Sequence, residues 1–348
     1  MLLFINSFLH MCVDGICAFA MVGYFRNGDN WYLSILLYNF CAFALQMPFG
    51  FILDYLEKEY HNKYIPFGVT AAGVCLTVLG AWTHPVVLGV GNALFHIGGG
   101  VCTIREDLAS GRKGRMLGVF VAPGAFGLFV GKKYGYLFSV LNAGIICGAI
   151  VTLVGLLVVL FAAYRHEDFV QTAISTKMDA VVNSSRNKIP VLLLCFLVVV
   201  IRSHVTMSMT FDWNTGFVYS LLLVLAAVFG KMSGGLAASI FPKEIAIAVS
   251  LGLAAAGFIG GALPVMGILA VFFFNMTMPV TLYELAVTFE GLEGGMFGIL
   301  TFALFLGFIP TYLAGAPSGN TPAGALASVA SVILLLTAVR LGKREVCK

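Results

Sequence analysis

The chain has 348 residues, 60% hydrophobic and only 10% charged, with a mean hydropathy of +0.98. Soluble domains carry roughly 25% charged residues, so a water-soluble fold is excluded, and a net charge of +4, scattered along the chain, argues against a nucleic-acid partner. At about 20 residues per crossing there is room for twelve spans with short loops and no soluble domain. Eight cysteines sit almost entirely inside apolar runs without a CxxC pair. They read as small buried hydrophobes, with neither a disulfide framework nor a zinc site indicated.

The first apolar run, Leu2 to Phe25, is long enough to cross a bilayer. No basic region or small-residue cleavage site precedes it, so it is expected to be a retained span. His10 and Asp14 lie about 12 and 18 Å from its start by helical rise. Four residues apart, they share one helical face. A carboxylate at that depth is expected in a bundle interior or wet cavity, and intramembrane ionisable groups are functional by default. The plainer alternative is a protonated Asp14 hydrogen-bonded to a neighbouring helix.

Further apolar runs cover 31–52, 65–82, 86–104, 116–131 and 136–164. A polar stretch follows at 165–188, and then runs at 189–211, 216–238, 245–261, 264–285, 296–313 and 323–339. With the first run this makes twelve, divided six and six by the polar stretch. The expected organisation is an N-terminal six-helix half over 1–164, a cytoplasmic linker over 165–188, and a C-terminal half over 189–348 with a short cytoplasmic tail. With the N-terminus inside, sixteen lysines and arginines fall on the inner side and three, Arg26, Lys132 and Lys133, on the outer side. By the positive-inside rule both termini face the cytoplasm.

Each half opens with a span holding ionisable groups: His10 and Asp14 in the first, Arg202 and His204 in the seventh. Arg202 lies about 20 Å from Ile189, a depth comparable to that of Asp14. Arginine cannot escape its desolvation cost by titrating, so it needs an anion, supplied by Asp14 or by a solute. The fourth span places Asn92 and His96 four apart, and Asn275 stands at the corresponding depth of the tenth. His96, about 15 Å into its span, either titrates near neutral pH or stays neutral against Asn92 or a backbone carbonyl. Internal duplication with a midplane site is a feature of transporters.

The second span ends in Gly50-Phe-Ile-Leu-Asp54, with Lys58 and Lys63 as the nearby bases. This resembles the Gly-x-x-x-Asp core of the major facilitator superfamily, without its arginine-rich tail. The matching loop of the second half, Gly230-Lys231-Met-Ser-Gly234-Gly235, has Ser239 where an acid would stand. The fifth span, Gly118 to Gly127 around Pro123, looks like the glycine–proline motif of antiporter branches, and residues 91–96 look similar to the fourth span of fosmidomycin-resistance-like members. The resemblance implies an all-α integral membrane protein, twelve transmembrane helices in two pseudo-symmetric halves. Spans 1, 4, 7 and 10 would line a central cavity that opens to each side alternately.

On this reading Asp14, with His10 or His96, carries a coupling proton. Arg202, Asn92 and Asn275 contact a small polar or anionic solute, and Gly50, Asp54 and Pro123 serve gating. Glu284, Glu290 and Glu293 are expected in an ordinary solvated loop, the alternative being an inner gate with Arg105. No cofactor or resident metal is expected, and the partners are the solute, protons and the lipid bilayer of a bacterial inner membrane, with the chain a monomer. HExxH, GxSxG, GxxxxGK[ST] and GxGxxG motifs are absent. Two rivals remain: a membrane-embedded enzyme using His10, Asp14 and His96 as acid, base or metal ligands, and a non-transporting sensor or subunit. The topology predicts that a fluorescent protein fused after Lys348 matures and glows, while alkaline phosphatase at the same point stays inactive; the reverse pattern overturns it.

Overall fold

The computed structural model describes residues 2–62, 64–137, 188–315 and 321–343, together with Gly148, Thr152 and Gly155. Among these residues every regular element is a helix, and ten helices are long and apolar enough to cross a membrane. The chain is a multi-pass, all-α membrane protein. The helices are α1 (Leu2–Gly23), α2 (Trp31–Asn39), α3 (Gln46–Tyr60), α4 (Ile65–Thr83), α5 (Pro85–Ala109) and α6 (Arg115–Leu137). They continue as α7 (Lys188–Ser208), α8 (Phe217–Ile240), α9 (Lys243–Ile259), α10 (Pro264–Asn275), α11 (Thr277–Thr288), α12 (Glu293–Ala314) and α13 (Thr321–Lys343).

Helix α9, with 17 residues, is about 26 Å long and covers the ninth apolar run. The sixth run and the polar stretch at 165–188 lie outside the described residues, apart from their edges and the three isolated positions. The fifth run does not end at 131: α6 continues through Lys132 and Lys133 to Leu137. The expected outer loop is therefore helical there, which long lysine side chains tolerate at a span end by reaching toward water.

Two spans are broken, and proline is the reason in both. Leu45 donates to the carbonyl of Phe40, five residues back, in a π-turn at Phe40–Ala44 that separates α2 from α3. Pro48 lacks the N–H that would bond Ala44, and its ring crowds that carbonyl. Pro279 acts likewise on Asn275, the last residue of α10, and Met276 donates only three residues back, to Phe273 at 3.2 Å. Half-helices of this kind occur where membrane transporters bind solutes and ions.

The chain divides into two compact units. One comprises Met1–Ser110, Val119–Val181 and Gly291–Ile299; the other comprises Gly111–Gly118, Val182–Glu290 and Leu300–Lys348. In the first, α4 and α5 pack antiparallel through glycines from both sides. Gly73 and Gly80 face the α5 backbone at Phe95 and Leu88, while Gly91 and Gly98 face the α4 backbone at Thr77 and Thr70. The seven-residue spacing is the same on each helix, so the two backbones interlock along one seam. Helix α5 also touches α1, α2 and α3, and 78% of its spanning stretch is buried. A helix enclosed on all sides can present polar residues only to other helices, and this puts Asn92 and His96 against α1.

In the second unit, Gly230 and Gly234 of α8 press against the carbonyls of Phe272 and Met276, beside the α10–α11 break. Ser203 of α7 donates to the carbonyl of Leu304 at 2.6 Å, beside Gly307. The interlocked seam makes a prediction. Gly98→Val should drive α4 from α5 and cost on the order of 1–3 kcal/mol, visible as a lower thermal midpoint in detergent. Gly68→Ala, whose added methyl would meet nothing within 4 Å, should leave the midpoint unchanged or raise it.

Candidate functional site

Four of the residues singled out in the sequence meet in the first unit: His10 and Asp14 from α1, Asn92 and His96 from α5. The Nδ1 of His10 lies 2.8 Å from the carbonyl oxygen of Phe120, and the Nδ1 of His96 lies 2.8 Å from that of Asn92. A carbonyl can only accept, so both Nδ1 atoms carry hydrogen and both Nε2 atoms are left as the remaining lone-pair nitrogens. Those two nitrogens face each other at 2.9 Å. Two neutral imidazoles in that arrangement would oppose lone pair to lone pair, an opposition that one proton shared between them relieves.

Asp14 supplies the matching negative charge. Its Oδ2 is 3.2 Å from His10 Nε2 and its Oδ1 is 3.7 Å from His96 Nε2. The Asn92 amide donates to Oδ1 at 3.1 Å and also approaches the Cys17 thiol at 3.6 Å. The cluster is buried, with His10, Asp14 and Asn92 only 6%, 8% and 2% exposed. His10 is further held by the Phe120 ring at 4.9 Å, and the two imidazoles meet edge to face at 4.5 Å. With one extra proton the aspartate and two histidines sum to zero charge, which is the least costly state for a buried group of this kind.

Helix α6 encloses the cluster. Gly124 lies directly against it, since a methyl group there would strike His10 Nε2 and Asp14 Oδ2. One and two turns on, Gly127 and Gly131 fit against the carbonyls of Met11 and Gly15 in α1. Pro123 lies inside α6 next to Gly124. The glycine–proline stretch thus brings its backbone against the ionisable face of α1, a role the sequence showed only as general tight packing.

Arg202 of α7 is buried at 6% exposure, and its Nη1 has no hydrogen-bond partner among the described residues. Nor does any ion pair reach it among the described residues; Asp14 takes its partners from His10, His96 and Asn92 within the first unit. Asn275, 8% exposed, donates back to the carbonyl of Val271 at 2.8 Å where α10 stops.

A second cluster of the first unit forms where α3 and α5 end and α12 begins. Asp54 accepts from the backbone N–H groups of Gly294 at 2.9 Å and Gly295 at 2.7 Å, capping α12. Free N–H groups and the helix dipole make such an end a natural seat for a carboxylate. Gly50 allows the approach, because a side chain there would collide with the carbonyl of Gly294. Arg105 bonds to Glu57 and lies 3.5 Å from Glu293 and 3.9 Å from Asp54. The expectation of a solvated loop for Glu284 and Glu293 is corrected: both are buried, Glu293 beside Arg105 and Glu284 on Lys243 at 2.6 Å. Loop position in the sequence hid helix ends folded inward.

Sequence reasoning missed several contributors. Asn6, only 1% exposed, extends the four-residue spacing of His10 and Asp14 by one turn, a signal available in the sequence. Glu57 and the Phe120 carbonyl gave none, because one looked like a loop acid and the other is backbone.

No protein-family model and no curated protein matches the chain. Its backbone does superpose on the fucose:proton symporter FucP of E. coli, in a single-substitution variant, with a TM-score of 0.63 and 12% identity over 97% of both chains. It also superposes on FucP described as a major facilitator superfamily transporter in the outward conformation, with a TM-score of 0.61 and 11% identity, covering 97% of this chain and 99% of that one. The chain has the major facilitator fold. At such identity the likeness is one of backbone. The Asp54 cluster predicts a stability effect: Asp54→Ala leaves two helix N–H groups without an acceptor and should cost on the order of 1–3 kcal/mol. Thermal unfolding of purified protein would read this, and an unchanged midpoint would show that the cap contributes nothing.

Proposed function

We propose that the protein is a secondary transporter, not an enzyme, that moves a small polar or anionic organic solute by alternating access and couples the movement to protons. The observation that carries this reading is the part-buried His10–His96 contact, in which a proton shared between the facing Nε2 atoms would relieve their opposition while Asp14 balances its charge. A major facilitator fold around it supports transport, since the neighbours of that fold are named as transporters and one as a proton symporter.

Gain or loss of one proton would then act as a clamp. Protonated, the cluster ties α1 to α5 through the shared hydrogen and the Asp14 charge. Deprotonated, the two nitrogen lone pairs repel and a buried carboxylate loses its counter-charge, so the helices are released. Arg202, whose buried Nη1 has no hydrogen-bond partner among the described residues, and Asn275, at the α10 break, are the proposed solute contacts, joined by Asn92. The positive charge of Arg202 selects an anion or zwitterion, because an arginine cannot neutralise itself by losing a proton. Gly50, Asp54 and Pro123 belong to the proposed gating parts. The twelve-span division at 165–188, cytoplasmic termini and residence in a bacterial inner membrane as a monomer complete the reading. Export in exchange for protons is the direction favoured by the glycine–proline helix, and residues 91–96 favour a place beside the fosmidomycin-resistance-like branch.

Asp14→Asn should abolish transport driven by a pH gradient in proteoliposomes while leaving solute binding in place. Arg202→Gln should instead weaken solute binding, by tenfold or more if a charge-assisted contact of about 1.5–3 kcal/mol is lost. A thermal-shift screen of metabolites at two pH values supplies the solute for both assays. Transport by Asp14→Asn with unchanged pH dependence would refute proton coupling at this site.

A further inference from the structure

The two facing imidazole nitrogens and the neighbouring carboxylate are also arranged as metal ligands. We propose that His10, Asp14 and His96 form a binding site for one divalent transition-metal ion of the zinc class. His10 Nε2 and His96 Nε2 stand 2.9 Å apart, Asp14 Oδ2 lies 3.2 Å from His10 Nε2 and Asp14 Oδ1 3.7 Å from His96 Nε2, and one ligand atom from each residue lies within 4.8 Å of the others. Tetrahedral coordination with bonds near 2.0–2.2 Å spaces ligand atoms roughly 3.3–3.5 Å apart, so a small adjustment seats an ion against all three. Two imidazoles and one carboxylate suit zinc, cobalt or nickel and poorly suit magnesium or calcium, which take oxygen ligands.

The surroundings are those of a ligand set. Each histidine donates its other ring N–H to a backbone carbonyl, His10 to Phe120 and His96 to Asn92, which fixes the tautomer and aims Nε2 at the shared point. The Asn92 amide steadies Asp14 through Oδ1, leaving Oδ2 for the ion. The Cys17 thiol meets the Asn92 amide at 3.6 Å and is not one of the three ligand residues. The side chains of His96 and Asp14 are 12% and 11% exposed, which gives a narrow approach. Three protein ligands leave a coordination position for water or a solute group.

Metal and shared proton use the same lone pairs, so each excludes the other. Micromolar zinc would therefore hold the α1–α5 clamp shut and stop transport. That consequence rests on the proton-coupled reading above; metal binding itself does not.

The test uses the full chain, purified in detergent and stripped with chelator. Titration with zinc chloride should show saturable uptake of about one equivalent, with none for magnesium. Cobalt should give the visible absorption of a low-coordinate site, and X-ray absorption of the zinc form should show imidazole scatterers. His96→Gln and Asp14→Asn should each lose the site, while His61→Gln, at the exposed end of α3, should keep it. Absence of saturable zinc uptake by monodisperse wild-type protein, or uptake that survives both cluster substitutions, would overturn the proposal. If those variants fail to fold, the cobalt spectrum and imidazole scattering of the wild-type protein decide alone. Proton-driven transport measured in chelator separates the two readings: transport without zinc binding sinks the metal site only, and zinc binding without transport sinks the transporter reading only.

Discussion

Two imidazole nitrogens stand 2.9 Å apart, each with its lone pair turned toward the other, and a proton shared between them relieves that opposition. This constraint shapes the first unit. The carbonyls of Phe120 and Asn92 impose it by occupying the opposite ring nitrogens. Asp14 makes it affordable by bringing a negative charge into the same small volume. Gly124 leaves room for the pair, and the glycines that follow draw α6 down over α1. None of these parts is costly once the others are present, and each would be costly alone in a bilayer.

The packing explains how such a cluster is held in place. Glycines from α4 and α5 interlock backbone to backbone, so α5 has little freedom to slide or turn. Asn92 and His96 therefore reach α1 from a fixed base. The lipid offers no hydrophobic drive for helix association, which leaves close backbone contact and polar bonds as the binding forces. The Asp54 cap on α12 follows the same logic: Gly50 permits backbone approach, and a carboxylate then meets unpaired N–H groups.

The second unit holds its charge differently. Arg202 is buried with one nitrogen unpartnered among the described residues, whereas Asp14 is surrounded by partners. A self-satisfied cluster thus stands in one unit and an unsatisfied cation, among the described residues, in the other. The tenth span is broken beside Gly230 and Gly234, where Asn275 stands.

Composition and hydropathy alone determined that the chain is helical and membrane-spanning, because a bilayer leaves no other way to satisfy the backbone of long apolar runs. Four-residue spacing alone put His10 with Asp14 and Asn92 with His96, since helical periodicity is local. Motif resemblance pointed to the fold that the backbone then displayed. Only the tertiary structure decided that the two pairs meet, that a carbonyl of α6 sets the tautomer of His10, and that Asp54 and Glu293 lie buried at helix ends. The partners in those contacts are separated by up to 241 residues, and one of each pair is often backbone, which looks the same in every residue. Distance in space, not residue type, carries that information, and a linear pattern holds none of it.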